Sequence, residues 1–251
     1  MTADAISFIS VAEDSGLEDK MEEISKISWP EFMLHASGGA KYWGRLYSDF
    51  PEYQFGAFGR SGNLVAAGWS MPLKFDGRPD ELPDEGWDWA MTTGFTGLEQ
   101  GIAPNIQSAL AIVVHPNLRG QHLSAAIVEH MKELGQSKHH TALIAPVRPN
   151  LKASYPLIEM DRYVRWLDSN GLPFDPWMRV HARLGATVVK PCNRAMQIYG
   201  TVDQWQSWSG MKFLESGRYV VPGALTPVDV DVENDRCTYI EPNVWMWHEI
   251  S

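Results

Sequence analysis

The chain has 251 residues, of which 44% are hydrophobic and 21% are charged, the composition of an ordinary globular protein. Its formal net charge of −10 argues against a protein that coats nucleic acid or anionic lipid, because those partners attract basic surfaces. Two cysteines, no apolar run of about 20 residues and an N-terminus without signal-peptide features lead us to expect one cytoplasmic domain over residues 1–251, without a membrane partner.

The first predicted elements are two helices and a β-hairpin. Apolar residues recur at helical spacing over residues 17–28, and a second helical stretch is expected over residues 30–46. Apolar segments at residues 53–57 and 64–70 flank a Gly-Asn turn, a pattern that is typical of a β-hairpin.

Two aromatic-rich insertions interrupt the regular pattern. The first covers about residues 76–105 and combines Gly, Pro and acids with Trp87 and Trp89, with at most a short helix near residues 96–100. Its acidic part is either a solvated loop or a wall that attracts a cationic amine. The second insertion covers about residues 150–172 and is rich in Pro, Tyr and Trp.

The centre of the chain predicts a β–α–β unit. Residues 108–114 form a nearly continuous apolar run, which suits a strand that is buried on both faces. Apolar residues then recur at helical spacing from Leu123 and stop at Gly135, and residues 142–147 form a second buried strand. This order indicates a crossover between two strands of one sheet.

The C-terminal part predicts one more helix and several strands. The helix covers residues 176–184 and stops at Gly185. Strand-forming segments follow at residues 186–189, 196–199, 228–232 and 237–247. The last two flank a Glu-Asn-Asp turn and indicate an antiparallel pair, so additional strands are expected within about residues 196–251.

The loop between the predicted central strand and helix carries the strongest chemical signal. Pro116 ends the strand, Arg119 and Gly120 follow, and the helix opens near residues 122–124. Gly120 lets the backbone approach a ligand closely, and the first N–H groups of a helix have no partner within it. The loop is therefore suited to a phosphate or pyrophosphate, to which Arg119 adds positive charge. An ordinary strand–helix turn is the alternative interpretation.

In this loop the strand is followed by the pattern V-x-P-x-x-R-G-x-x-[LI]-[GS] and an amphipathic helix. The arrangement resembles motif A of the GCN5-related N-acetyltransferase (GNAT) superfamily, and the match covers about residues 108–147. The family's loop reads [QR]-x-x-G-x-[GA], and the matching positions here are Asn117, Gly120 and His122. Asn117 and His122 depart from that pattern, whereas Ser124 is a small residue where the family requires one.

The resemblance implies an α+β fold with a mixed, splayed central β-sheet flanked by helices. Acetyl-CoA or another acyl-CoA would lie in the gap between two central strands. The residues implied to bind it are Val113, Val114, His115, Arg119, Gly120, Gln121, His122, Leu123, Ser124 and Asn150. A backbone N–H near Val113 or His115 is expected to polarise the thioester carbonyl.

A second match concerns the catalytic acid and lies at the end of the C-terminal helix, where the family usually has Y-x-x-x-G-[FY]. His181 stands here in place of the tyrosine that often protonates the coenzyme A sulfur, and Gly185 follows it. A packed histidine that transfers no proton is the alternative. Tyr155 is the rival acid, because Asn150 and Ala153 resemble the N-x-x-A start of the same helix.

The resemblance implies an acyl-CoA-dependent N-acyltransferase, in the first instance an acetyltransferase, that acts on a small-molecule amine by direct attack in a ternary complex. The alternatives are a non-catalytic acyl-CoA-binding module of the same fold and an acyltransferase for a longer acyl chain. Glu215, Glu241 and His248 are candidate bases. The His and Cys spacing indicates neither a metal site nor a cysteine nucleophile. No nucleic-acid partner is expected, and a homodimer is the commonest closed assembly.

Overall fold

The computed structural model describes residues 6–118 and 120–250. Nine strands within these residues join one sheet. The strands are β1 (Ser7–Ser10), β2 (Gln54–Phe58), β3 (Leu64–Leu73), β4 (Ile106–Val114), β5 (Ala142–Val147), β6 (Thr187–Gly200), β7 (Gly217–Tyr219), β8 (Val228–Asp231) and β9 (Arg236–Glu249). The α-helices are α1 (Leu17–Lys26), α2 (Arg45–Asp49), α3 (Gly86–Glu99), α4 (Leu123–Ser137), α5 (Met160–Tyr163), α6 (Pro176–Arg183) and α7 (Val202–Ser209).

The sheet is mixed, as the family resemblance implied. Its order is β1-β2-β3-β4-β5-β9-β8-β7, and β6 pairs with the long strand β9. Strands β4 and β5 run parallel, and the other described pairs are antiparallel. The crossover from β4 to β5 is helix α4, which confirms the predicted β–α–β unit.

Helices cover both faces of the sheet and divide the core into two main layers. One layer contains buried residues of α1, α2 and α3, and the other contains those of α4 and α6. Strand β4 contributes Leu110 and Val113 to the first layer and Ala109 to the second, which explains its continuous apolar sequence. A third cluster joins α7 to β6, β8 and β9.

Two sequence predictions of helical structure were wrong in position. The helix expected over residues 30–46 is instead two 3₁₀ segments, Glu31–His35 and Gly38–Tyr42, followed by α2. Pro30 and the glycines of this stretch interrupt the helical ladder, and Gly38 has a φ of +69°. The first insertion, by contrast, contains the 14-residue helix α3, in place of a short helix near residues 96–100.

The sequence did not predict the full length of helix α3, because its glycines are typical of residues that interrupt a helix. Gly94 is a packing requirement instead: a Cβ there would collide with the Met71 side chain of β3 and lie 3.1 Å from the Pro72 carbonyl oxygen. Strand β6 was also missed as one element, because bulges after Val188 and after Cys192 separate the two short segments that the sequence suggested.

No helix in the described part of the chain has the length and apolar character needed to cross a bilayer.

The hairpin of β2 and β3 and the late pair of β8 and β9 lie where the sequence predicted them. These agreements concern segments whose apolar pattern and turn residues are contiguous in the sequence.

The packing of α3 on β3 can be tested with two substitutions in the same helix. Gly94→Ala should lower the free energy of unfolding by about 1–3 kcal/mol, because the new methyl group overpacks the contact with Met71 and Pro72. Gly97→Ala should raise it by about 0.5–1 kcal/mol, because no heavy atom lies within 4 Å of the new Cβ and alanine favours the helix. Urea unfolding measures both changes, and equal effects would contradict the packing.

Candidate active site

The central feature is a gap between β4 and β5. Within the described residues these strands share two register pairs, Gln107 with Leu143 and Ser108 with Ile144. Beyond Ser108 every register pair of β4 is with β3, so the edge that faces β5 is open. Ala111, Ile112 and Val114 are accordingly half-buried although they lie in the middle of the sheet.

A β-bulge coincides with the start of this gap. Trp69 of β3 pairs with Ala111 and Ser70 pairs with Ala109, so Leu110 is an extra residue on β4. A bulge bends its strand and increases its twist, which turns β4 away from β5. The Trp87 indole of α3 donates a 3.0 Å hydrogen bond to the Leu110 carbonyl, so α3 fastens the bulge from the face of the sheet that it covers.

The backbone donors that face the gap follow from the β3–β4 ladder. The His115 N–H donates to the Val65 carbonyl at 3.0 Å, so it is not available to a thioester. Because donors alternate between the two edges of a strand, the Val113 N–H also points towards β3. The N–H groups of Ile112 and Val114 therefore point into the gap. A thioester donor near Val113 or His115 stays a prediction, and the N–H groups that are free to fill this role are those of Ile112 and Val114.

The loop before α4 has the backbone form expected of an anion site. Gly120 has a φ of +82° and His122 a φ of +60°. His122 precedes the first residue of α4, and its carbonyl accepts from the Ala125 N–H at 3.1 Å. The N–H groups of Leu123 and Ser124 precede this first intrahelical bond, so the helix does not use them.

The position of His122 explains how the chain tolerates its departure from the family pattern. A left-handed residue costs about 1 kcal/mol when it carries a Cβ, although histidine tolerates this conformation better than most residues. The imidazole is exposed and Gln121 is half-buried. Arg119, the predicted source of positive charge, lies outside the described residues.

The two candidate acids have very different environments. His181 is 1% exposed, and its Nδ1 lies 2.9 Å from Nε2 of His248 on β9. Burial and the neighbouring His248 hold the pKa of His181 well below its usual range. Burial, together with the charge of Lys132, lowers the pKa of His248 to about 4. Tyr155 is 37% exposed and belongs to the segment that follows β5. The catalytic roles of His181 and Tyr155 stay predictions.

The buried carboxylate of Asp175 anchors the second insertion. Its Oδ1 caps helix α6 by accepting from the N–H groups of Trp177 and Met178. Its Oδ2 accepts from the Leu151 N–H at 2.8 Å and the Tyr163 hydroxyl at 2.9 Å. Asn150, a predicted coenzyme A contact, lies just before this anchor and is exposed. The second insertion is therefore an ordered segment that lies beside the C-terminal end of β5.

The candidate bases are placed as follows. Glu241 is buried, and its Oε1 accepts from Arg148 Nε at 2.7 Å while its Oε2 accepts from the Tyr239 hydroxyl. Glu215 is exposed and lies in the loop that follows α7. His248 is buried against His181. None of these contacts brings the three candidates together, and their role as bases stays a prediction.

An aromatic layer on the face covered by α1 and α3 is a feature that the sequence did not reveal. The centroid of the Trp43 ring lies 5.6 Å from that of Trp69 and 6.2 Å from that of Trp87. Trp69 is completely buried, and Trp87 is bonded to the bulge of β4. Glu22 of α1 contacts this layer through a 2.8 Å hydrogen bond from the Trp43 indole. These residues come from four separate segments, so no local motif could have indicated them.

Asp88 is a second carboxylate that the sequence placed in a solvated or ligand-attracting loop. It is half-buried on α3, and its Oδ1 accepts from the Gly39 N–H at 2.9 Å. Burial raises the pKa of this carboxyl to about 6. Of the acidic residues that precede it, Asp80 and Glu81 form exposed ion pairs with Arg78. The acidic run therefore divides into a solvated part and one partly buried carboxyl.

The cysteines and metal-ligating side chains do not form a site in the described part of the chain. Cys192 and Cys237 are buried free thiols. Burial raises the pKa of Cys237 to about 11 and also raises that of Cys192, so neither thiol forms a thiolate readily. Within residues 6–118 and 120–250, no three His, Cys, Asp or Glu side chains are grouped so that they could hold a metal ion.

Comparisons with known proteins agree with this geometry. No model of a protein family matches the chain. The arginine N-acetyltransferase avaD of Aspergillus versicolor is 32% identical over 250 residues, which cover 88% of this chain and 85% of that protein.

Two solved structures share the fold. The loading GNATL domain of CurA from Lyngbya majuscula is 16% identical, with 98% of each chain covered and a TM-score of 0.60. The GNAT-like decarboxylase GphF in complex with isobutyryl-CoA is 15% identical, with 98% of this chain and 100% of that chain covered and a TM-score of 0.57. The chain belongs to the GCN5-related N-acetyltransferase superfamily and is an acyl-CoA-dependent N-acyltransferase.

Proposed function

We propose that this protein transfers an acetyl group from acetyl-CoA to an amino group of arginine or of a closely related small cationic amine. The observation that carries the proposal is the 32% identity to an arginine N-acetyltransferase over 88% of this chain. The net charge of −10 and the aromatic layer with its carboxylate support a cationic acceptor.

The chain's own groups suit the binding of the acyl donor. The diphosphate would lie on the N–H groups of the Gly120–Ser124 turn, at the positive end of the α4 dipole. The pantetheine would lie along the open edge of β4 as an added strand, and it would use the donors of Ile112 and Val114. One of these N–H groups would also stabilise the negative charge that develops on the thioester oxygen.

Transfer then requires one nucleophile and two proton movements. The neutral amine attacks the thioester carbonyl carbon, a C–N bond forms, and the C–S bond breaks. The amine gives up one proton to a base or to water, and the departing thiolate takes up one proton from an acid. This balance is the same for acetyl and for longer acyl groups, so an assay has to compare them directly.

Tyr155 is the proton donor in this proposal. Its side chain is partly exposed and belongs to the segment that leaves the sheet after β5, where the two central strands have diverged. His181 would be a poor donor, because it is buried and neutral at working pH and its Nδ1 already contacts His248. The two histidines act in this account as a packed pair between α6 and β9.

A thiol-release assay tests the proposed function. Acetyl-CoA and longer acyl-CoA esters are offered with arginine, other small amines and no amine, and both the free thiol and the acylated product are measured. Thiol release that depends on arginine supports the proposal. Binding of acyl-CoA without turnover of any amine in the panel would contradict it. The cytoplasmic location and the homodimer stay predictions.

The phosphate turn can be tested with a matched pair of glycines. Gly120→Val should weaken acetyl-CoA binding more than tenfold in calorimetry, because a β-branched residue disfavours a φ of +82° and blocks close approach of phosphate. Gly62→Val strains a comparable φ of +75° in the β2–β3 turn and should leave acetyl-CoA affinity unchanged. Equal affinity of the two variants would contradict the assignment of the turn.

The two candidate acids can be separated by steady-state kinetics. Tyr155→Phe should lower kcat by roughly 10²-fold with little change in the KM for acetyl-CoA, because only the proton donor is removed. His181→Phe should retain the wild-type kcat per folded molecule. A 10²-fold loss of kcat in His181→Phe, with Tyr155→Phe unaffected, would assign the proton to the histidine.

The histidine pair predicts a loss of stability in acid. An unfolded histidine has a pKa near 6.5, whereas His248 has a pKa of about 4 in the fold, so only the unfolded state takes up its proton between these values. Stability should fall by on the order of 3 kcal/mol as the pH falls from about 6.5 to about 4. His248→Gln keeps a partner for His181 and should reduce this slope in urea unfolding. An unchanged slope would contradict the account.

A further inference from the structure

Glu22 carries a half-buried carboxylate that has no cationic partner among the described residues. Its Oε1 accepts hydrogen bonds from the Trp43 indole at 2.8 Å and from the Tyr47 hydroxyl at 2.6 Å. Among the described residues, no basic side chain lies within 4.0 Å of this carboxylate, and no hydrogen bond reaches its Oε2. A half-buried carboxylate held by neutral donors alone retains its affinity for a cation.

Aromatic rings connect Glu22 to the bulge of β4. The Trp69 indole donates to the Tyr47 hydroxyl at 2.8 Å, and Trp69 pairs with Ala111 in the sheet. On the other side, the Trp43 ring lies 6.2 Å from that of Trp87, which is bonded to the Leu110 carbonyl. The carboxylate is therefore joined by direct contacts to the place where the gap between β4 and β5 begins.

The same face of the molecule shows what a guanidinium does in such surroundings. The Arg45 guanidinium lies 4.7 Å from the centre of the Phe95 ring and pairs with Asp49 and Glu99. The carboxylates of Asp49 and Glu99 are therefore already paired with a cation, the Arg45 guanidinium. Glu22 offers the corresponding combination of a carboxylate and aromatic faces, and Trp43 is partly exposed beside it.

We propose that Glu22 and the Trp43 ring bind the cationic end of the acceptor, and that they hold its amino group towards the bulge of β4. This inference rests on the proposed function, because it assigns a subsite to an arginine-like acceptor. A guanidinium would donate to Glu22 Oε2 and stack on Trp43, while the amine at the other end of the molecule meets the thioester. Glu22 is thus a specificity residue that contacts the substrate away from the reacting atoms.

The test compares arginine with citrulline, which has the same length and shape but carries a neutral ureido group in place of the guanidinium. Glu22→Gln keeps an oxygen acceptor for Trp43 and Tyr47 but removes the charge. The variant should lower kcat/KM for arginine by about 10- to 100-fold, mainly through KM, because a charged hydrogen bond is lost. Its kcat/KM for citrulline and its KM for acetyl-CoA should stay at the wild-type values.

Glu23→Gln is the matched control, because it makes the same change on the exposed side of α1. It should leave all these constants unchanged. Equal losses for arginine and citrulline in Glu22→Gln, or no loss for either, would overturn the assignment of Glu22.

The result also separates this inference from the proposed function. Arginine-dependent thiol release by the wild type, with no effect of Glu22→Gln, would leave the function standing and remove the subsite. Turnover of amines without a second positive charge, with no turnover of arginine or another cationic amine, would refute both. If no amine is acylated, the proposed function fails. Calorimetry of arginine binding to the wild type and Glu22→Gln then decides the subsite, which weaker binding to the variant would support and equal binding would overturn.

Discussion

The site depends on the separation of two parallel strands that begin as neighbours. A backbone that is buried in a sheet must pair its N–H and C=O groups, and β4 does so on both edges only as far as Ser108. From the Leu110 bulge onwards, one edge of β4 is left for a ligand to complete. An extended pantetheine presents amide groups that can pair with such an edge, so under our proposal the acyl donor binds where β4 diverges from β5.

Helix α3 links this opening to the acceptor. It is inserted between β3 and β4 and lies across the face of the sheet that also carries α1. Its Trp87 fixes the Leu110 carbonyl of the bulge, and its ring continues the aromatic layer that ends at Glu22. One element thus shapes the acyl-donor groove and, under our proposal, the acceptor subsite, which gives the insertion a role beyond simple coverage of the core.

The opposite face carries the second insertion and a buried pair of histidines. There Asp175 holds the second insertion in place. His181 of α6 and His248 of β9 are buried against each other and neutral. A histidine at a position that matches the family's catalytic tyrosine is therefore packed into the core in this chain. The family pattern gave its place in the helix correctly. Its burial and its neutral state depend on His248 of β9, which lies 67 positions further along the chain.

The sequence by itself determined the elements that local patterns encode. The sequence predicted strand β4, helix α4, the turn between β2 and β3, and the loop at Gly120. Each of these features depends on residues that are neighbours in the chain. Only the tertiary structure decided that α3 is a helix, that the gap-facing donors belong to Ile112 and Val114, and that Glu22 has no cationic partner in the part of the chain that the structure describes. These properties arise from packing, ladder register and charge pairing between residues far apart in the chain, which no local pattern records.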